Sequence, residues 1–316
     1  MPVHVDRSLR LPESQYFPDP QEKSGIALHH TVCDDAHTTL DIWRHDRAAD
    51  GEPRRVATAY LIDLDGTVYE VFDPACWAWQ FGLCWPDELR LPFEQRFIGI
   101  EITSEGGLTE HDGRLYAYDE ISPVFEKPPE EAFQCPTDYR GYRWFDRYEP
   151  EQLQALGRLV NDLCQRFAIP RVYPEKPFVY YGDALASFEG VIGHAMVRED
   201  KSDPAPDPEL WSTLEKIARL RPAPVATQLT FEDTLALFER NARRLDRMDV
   251  AAASLVKDLL MELERRSTYL ELDTPPTGSH AIDYQLLEGD HAVLEEIAEA
   301  LGFKEVTDTE LEVKDA

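Results

Sequence analysis

The stretch VATAYLIDLDGTVYEVF (residues 56–72) contains two apolar runs on either side of Asp65 and Gly66. An Asp-Gly pair between such runs is a strong signal for a β-hairpin, because both residues tolerate the backbone angles of a tight turn. Two further short apolar runs, GIALHHT (25–31) and RFIGIEIT (96–103), are typical of strands. The first third of the chain is therefore expected to form a sheet.

A helix is expected after these strands, in the segment PEQLQALGRLVNDLCQRFAI (150–169). Pro150 suits the first turn of a helix, where a missing N–H costs nothing. Apolar residues then recur at helical spacing: Leu153, Leu156, Val160, Leu163 and Phe167. Early strands with a helix that packs on them predict a mixed α/β domain.

The sequence divides into two parts of different texture. Residues 1–222 mix short apolar runs with amphipathic segments and are expected to form one domain. Residues 223–316 contain two amphipathic stripes and are predicted to form a helical extension, which packs on the first domain or mediates formation of a homo-oligomer. The five cysteines are scattered and odd in number, which favours reduced, mostly buried thiols over a disulfide framework.

The charge and hydropathy of the chain restrict the partners that it is expected to bind and the cellular compartment in which it is expected. The chain of 316 residues has a formal net charge of -29, which repels nucleic acid and anionic membranes. No stretch approaches the length of a membrane-spanning helix, and the N-terminal residues lack the apolar region of a secretory signal. We therefore expect a protein that is cytoplasmic as synthesised, with no nucleic-acid or membrane partner.

A metal site is suggested by residues from two separated segments. One imidazole of the pair His29 and His30 can face a site, because adjacent strand residues point to opposite faces. His194 and Asp203 lie in GHAMVREDKSDPAPDPELW (193–211), where Gly193 is expected to allow a tight turn. Two imidazoles and one carboxylate suit catalytic zinc with an open position for water. The alternatives are a core hydrogen bond for the second imidazole and a helix cap for the carboxylate.

Several of these segments together resemble a known family. IALHHT, AYLIDLDGTVYEVFDP, AWQFG (78–82), FIGIEI, YEPEQLQAL and GHAMVREDKSDP occur in the order found in zinc-dependent N-acetylmuramoyl-L-alanine amidases of the type-2 class, which share a fold with peptidoglycan recognition proteins. The resemblance covers roughly residues 25–211. It implies an α/β fold with a central mixed β-sheet flanked by helices.

The resemblance also implies a role for each matched residue. His29, His194 and Asp203 would be the ligands of Zn²⁺, and His30 would face away into packing. Glu101 in FIGIEI would be the general base, and Lys201, two residues before the ligand Asp203, would stabilise negative charge on the reacting carbonyl oxygen. Such a set can activate water and transfer its proton to the leaving amine.

Substrate contacts are expected from four residues. Ala59 stands where the family often has a histidine in SAHYLID, and Gln80 stands where it has a histidine in AWHAG. Together with the neighbouring Thr58 they are candidates for substrate binding. Trp144 belongs to a long aromatic-rich segment between Glu101 and the helix at 150, which either lines a groove or packs its own aromatic side chains.

Three functions remain open at this stage. The first is hydrolysis of the amide between N-acetylmuramic acid and L-alanine in peptidoglycan or muropeptides. The others are a non-catalytic muropeptide-binding module and a zinc amidase that acts on another peptide amide. Without a signal peptide, the protein would reach a cell wall through phage lysis or signal-independent export, or it would act on wall fragments in the cytoplasm.

Overall fold

The computed structural model describes residues 3–225. The predicted extension at 223–316 and its role in oligomer formation therefore fall almost entirely outside the described residues. The strands are β1 (Val5–Asp6), β2 (Gly25–His30), β3 (Tyr60–Ile62), β4 (Val68–Glu70), β5 (Phe97–Ile102), β6 (Gly107–His111), β7 (Arg114–Tyr116), β8 (Glu126–Lys127), β9 (Ala132–Tyr139), β10 (Tyr142–Asp146), β11 (Val172–Pro174), β12 (Gly190–Gly193) and β13 (Arg221–Ala223). The α-helices are α1 (Ala36–His45), α2 (Asp87–Arg96), α3 (Pro150–Arg166) and α4 (Pro208–Ile217).

A six-stranded mixed sheet with the order β1-β4-β3-β5-β2-β12 forms the centre of the fold. Strands β3, β5, β2 and β12 run parallel, and β4 runs antiparallel to β3. Every residue of β2 is buried, as expected of a strand that has a neighbour on each side and is covered on both faces. The predicted mixed α/β fold is confirmed.

The sequence places the elements of this sheet well. Strands β2 and β5 fall within the predicted runs, and the predicted hairpin consists of β3 and β4. In the turn between them Gly66 has a φ of 80°, a left-handed angle that glycine adopts without steric cost. The Asp-Gly pair therefore predicts the position of the turn, because it depends on the backbone angles that these residues can adopt.

Helix α3 begins at Pro150, as predicted, and buries a continuous stripe of apolar residues in the core. The Gln152 side chain accepts a hydrogen bond from the backbone N–H of Glu149 at 2.9 Å and donates to the carbonyl of Thr103 at 2.8 Å. The first contact satisfies an N–H before the helix, and the second ties the helix to the chain just beyond β5. The N-terminal end of α3 is thus fixed beside the carboxyl end of β5.

The aromatic-rich segment between β5 and α3 forms a second, antiparallel sheet with the order β8-β7-β6-β10-β9. Two-residue turns connect β6 to β7 and β9 to β10, and all four turn residues have positive φ angles: Asp112, Gly113, Arg140 and Gly141. Such turns match the twist of antiparallel strands. The Asp-Gly signal at the first turn is the same one that predicts the β3–β4 hairpin, so the β6–β7 hairpin can be predicted from the sequence.

Two smaller expectations can also be compared with the structure. All five cysteines are free thiols, and four of them are buried, while Cys84 is exposed. Within residues 3–225 no helix has both the length and the apolar character needed to cross a membrane.

The contact between α3 and α4 gives a prediction about stability. A Cβ atom added at Gly157 would lie 2.8 Å from the Cβ of Ile217, which is closer than side chains normally approach. We expect Gly157→Ala to lower the free energy of unfolding by about 1–3 kcal/mol, because the two helices must move apart. Urea unfolding measures this change, and Gln154→Ala on the exposed side of α3 is the control. Equal stability of Gly157→Ala and wild type would show that the helices can repack without cost.

Candidate metal centre

The residues with predicted roles meet at the carboxyl ends of the parallel strands. His29 in β2 is directly opposite Glu101 in β5. On the other side of β2, Gly193 is opposite Leu28, so His194, the next residue, follows on the edge beside His29. Since paired residues of neighbouring strands point to the same face, the register brings two imidazoles and a carboxylate into one row.

Three potential ligand atoms converge at one end of this row. The Nδ1 atoms of His29 and His194 are 3.1 Å apart, and the Oδ2 atom of Asp203 lies 3.1 Å from the first and 2.9 Å from the second. All three side chains are buried. Among the residues that the structure describes, this is the only group of three or more such side chains placed to hold one metal ion.

The hydrogen bonds of His194 show that this cluster needs a cation. Its Nε2 atom lies 2.9 Å from the carbonyl oxygen of Phe81, which can only accept, so Nε2 carries the proton. In the neutral ring Nδ1 then carries a lone pair and can only accept a hydrogen bond. It nevertheless lies beside Oδ2 of Asp203, which is also an acceptor. Two buried acceptors at 2.9 Å repel each other unless a metal ion or an additional proton lies between them.

The spacing and chemistry of the donors fit zinc. Tetrahedral ligands at about 2.0–2.1 Å from Zn²⁺ are separated by about 3.3 Å, which is close to the separations of these three atoms. Burial alone would raise the pKa of Asp203, but the imidazoles of His194 and His29 hold it well below its usual value. Asp203 is therefore ionised at neutral pH and available as a ligand.

Backbone contacts hold the Asp203 loop in place. The carbonyl of Asp203 accepts from the N–H of Ala195 at 2.7 Å, which joins the two ligand segments directly. The expected tight turn at Gly193 is not what the structure shows, since its φ of -97° is open to any residue. A Cβ atom there would instead lie 2.6 Å from Cδ of Pro204, so glycine is needed for close approach of the Asp203 loop. The cap of α4 is Asp207 rather than Asp203.

Glu101 faces the cluster from β5. Its Oε2 atom is buried and has no hydrogen-bond partner in the described part of the chain. Burial raises the pKa of Glu101 to about 7, while the charges of His29 and Lys201 lower it and that of Asp203 raises it. A half-buried carboxylate with a raised pKa beside a metal site has the properties of a general base.

Lys201 and His30 occupy different surroundings. Lys201 is half-buried, and its ammonium forms no ion pair with any residue in 3–225. Its charge lowers the pKa of Glu101, and its contact with a substrate carbonyl stays a prediction. His30 is buried on the opposite face of β2, and a Cβ atom on Gly106 would lie 2.9 Å from its Nε2 atom, which agrees with the expectation that it faces packing.

The predicted substrate contacts lie deeper than expected. Thr58 and Ala59 are each 2% exposed. Gln80 donates from Nε2 to the carbonyl of Phe97 at 3.1 Å, and its Oε1 atom is buried without a partner in the described residues. Trp144 is half-buried in the second sheet and donates to Glu110 at 2.9 Å. Contact of these four residues with a substrate stays a prediction.

Two sets of contacts around the metal centre have no counterpart in the sequence analysis. The carbonyl of Phe81 accepts from His194 and also from Arg198 at 3.2 Å. Arg140, in the β9–β10 turn, donates to the carbonyls of Glu199 at 2.8 Å and Ala195 at 3.2 Å. The second sheet thereby holds the segment that carries His194. The acceptors of these hydrogen bonds are backbone carbonyls, so the residue types in the sequence do not predict them.

Solved structures that the chain is similar to include an endolysin and two amidases. A mutant endolysin from Bacillus subtilis is 12% identical, with 68% of this chain and 99% of that chain covered and a TM-score of 0.39. The endolysin N-acetylmuramoyl-L-alanine amidase LysCS from Clostridium intestinale is 14% identical over 70% and 97%, with a TM-score of 0.35. The N-acetylmuramyl-L-alanine amidase AmiD from E. coli, solved with anhydro-N-acetylmuramic acid-L-Ala-D-gamma-Glu-L-Lys, is 20% identical over 91% and 93%, with a TM-score of 0.39.

No curated protein matches the chain. The family model described as N-acetylmuramoyl-L-alanine amidase matches residues 19–206, which is more than half of the chain. The matched range contains every described strand except β1 and β13, and it contains all five residues predicted to act at the metal centre. The chain belongs to the N-acetylmuramoyl-L-alanine amidase family.

Proposed function

We propose that this protein is a zinc hydrolase that cleaves the amide between N-acetylmuramic acid and L-alanine in peptidoglycan or muropeptides. The observation that supports the proposal most directly is the convergence of His29, His194 and Asp203 on one point beside Glu101, whose Oε2 atom is buried. Membership of the amidase family gives the class of bond. The three ligands leave a position open for water, as in catalytic rather than structural zinc sites.

Each residue around the metal centre has a separate role in the proposed reaction. Zinc, when bound, supplies Lewis-acid activation of a water molecule and of the scissile carbonyl. Glu101 accepts a proton from the attacking water at its unpartnered Oε2 atom and delivers it to the nitrogen that leaves as the amine of L-alanine. Lys201 stabilises the negative charge that develops on the carbonyl oxygen. The amide bond breaks, and water contributes the hydroxyl of the acid and the proton of the amine.

The test of this proposal measures zinc content and product together. We expect the purified chain to bind one zinc ion and to convert a muramoyl-peptide into the free sugar acid and a peptide with an L-alanine amino terminus, identified by mass spectrometry. Bound zinc with no cleavage of this bond would contradict the amidase proposal and favour a muropeptide-binding module. Cleavage with no zinc requirement would contradict the role given to the metal cluster.

The raised pKa of Glu101 gives the direction of the pH dependence. The carboxyl group accepts a proton only when it is ionised, and its pKa is raised to about 7 in the metal-free protein. The positive charge of zinc lowers this value, so we expect kcat/KM to be constant above about pH 7 and to fall about tenfold per pH unit on the acid side of the pKa. Rates measured from about pH 5 to about pH 9, with zinc content determined at each pH, check this. A constant rate down to the lowest pH with zinc retained would contradict the role of Glu101.

A further inference from the structure

One backbone carbonyl fixes the orientation of a metal ligand in this protein. The carbonyl oxygen of Phe81 accepts the proton of His194 Nε2 at 2.9 Å and so aims Nδ1 of the same ring at the metal position. Hydrogen bonds of this kind set the tautomer and the ring orientation of metal-ligating histidines. The direction of the Phe81 carbonyl therefore affects the geometry of the cluster.

The loop that carries Phe81 is held by a buried carboxylate on α2. Glu94 is fully buried and accepts from the backbone N–H of Gln80 at 2.9 Å and from that of Phe81 at 3.3 Å. It forms no ion pair with any residue in 3–225. Burial raises the pKa of Glu94 to about 7, while the hydrogen bonds from the amides of Gln80 and Phe81 lower it.

The hydrogen bonds of Glu94 lie directly beside the Phe81 carbonyl. The N–H of Phe81 donates to the carboxylate on α2, and the carbonyl of the same residue accepts from His194. Glu94 therefore restricts rotation of the Phe81 backbone, and with it the direction of the carbonyl that meets His194. The contacts run from Glu94 to the loop, from the loop to the imidazole, and from the imidazole to the metal position.

We propose that Glu94 is a positioning residue of the metal centre, which sets the orientation of His194 through the Phe81 carbonyl and thereby raises the affinity for zinc. The inference rests on the proposed function in so far as zinc is the metal. A neutral side chain could fill the same volume beside α2. Burying a carboxylate without a cationic partner costs free energy, so a neutral side chain would fill the space at lower cost. Backbone hydrogen bonds to a carboxylate are, however, stronger than those to a neutral acceptor.

The test compares two buried carboxylates in otherwise unchanged protein. Glu94→Gln retains the size of the side chain but removes its negative charge and one of its two acceptor oxygens, which weakens the hydrogen bonds from the backbone amides. Glu70→Gln is the matched control, because Glu70 is also a buried glutamate but accepts from Arg7 and Arg10 at the other side of the central sheet. Zinc affinity is measured by competition with a chromogenic chelator. The Nε2 proton of His194 is observed by NMR in the metal-free proteins.

We expect Glu94→Gln to bind zinc about 10- to 100-fold more weakly than wild type. In its metal-free form the Nε2 proton of His194 should exchange faster with solvent. Glu70→Gln should lose thermal stability but retain wild-type zinc affinity and the protected proton. Glu94→Asp, which keeps the charge, is the second variant and should retain more zinc affinity than Glu94→Gln if both fold.

Two results would overturn the inference about Glu94. One is a zinc affinity of Glu94→Gln equal to that of wild type or of Glu70→Gln, and the other is an unchanged exchange rate of the His194 proton. The NMR measurement needs no metal, so it tests Glu94 even if wild type proves to bind no zinc. That last result would contradict the proposed function alone.

Discussion

Glu101→Gln is expected to reduce kcat for muramoyl-peptide cleavage by about 10²- to 10⁴-fold while the protein still binds one zinc ion. The amide has nearly the volume of the carboxylate and fits the same half-buried position in β5. It cannot accept the proton of the attacking water, so the step that activates the nucleophile is lost. Since Glu101 is opposite His29 but is not one of the three converging ligands, the metal affinity should change little.

The measurement pairs steady-state rates with zinc content for the same protein samples. Glu70→Gln in β4 is the control, because it also neutralises a buried glutamate of the central sheet but lies away from the metal row. We expect it to be less stable and fully active. A Glu101→Gln protein that binds zinc and retains wild-type kcat would show that another group accepts the proton.

The central sheet could be predicted from the sequence because its signals are local. The runs that form β2 and β5 are apolar, and the β3–β4 hairpin has a turn sequence with a specific backbone conformation. The sequence predicts the second sheet only as an aromatic-rich segment. Its apolar residues cover a small separate core of Leu108, Leu115, Ala117 and Ala132, so periodicity gives a weak signal. The Asp112-Gly113 pair is a local signal that predicts the β6–β7 hairpin of this sheet.

Prediction of the metal centre required information beyond the spacing of its residues along the chain. His29 and His194 are brought together by the pairing of β2 with β12, which no local pattern encodes. The resemblance of several segments to one family selected these residues, and the structure brings their ligand atoms together. The role inferred for Glu94 could not be predicted from residue types, because it acts through the backbone of Phe81.

Asp203→Ala is expected to abolish zinc binding and, with it, cleavage of the muramoyl-peptide. The substitution removes the only anionic donor of the cluster and leaves two neutral imidazoles, which do not offset the loss of water around the metal ion. Zinc bound to the native state alone stabilises it by about 2.7 kcal/mol at a free concentration 100 times the Kd. Wild type should therefore melt at a lower temperature when zinc is removed by a chelator, and Asp203→Ala should melt at the same temperature with and without zinc.

Asp207→Ala is the matched control for Asp203→Ala, because both remove a buried aspartate from the same loop. Asp207 caps α4 by accepting from the N–H of Glu209 at 2.8 Å, and it is not part of the metal cluster. Its removal should lower stability by about 0.5–2 kcal/mol through the lost cap while the zinc-dependent shift in Tm persists. If Asp203→Ala also kept that shift, a different donor would complete the zinc site. If Asp207→Ala lost it, the loop as a whole, rather than the Asp203 carboxylate, would determine whether zinc binds.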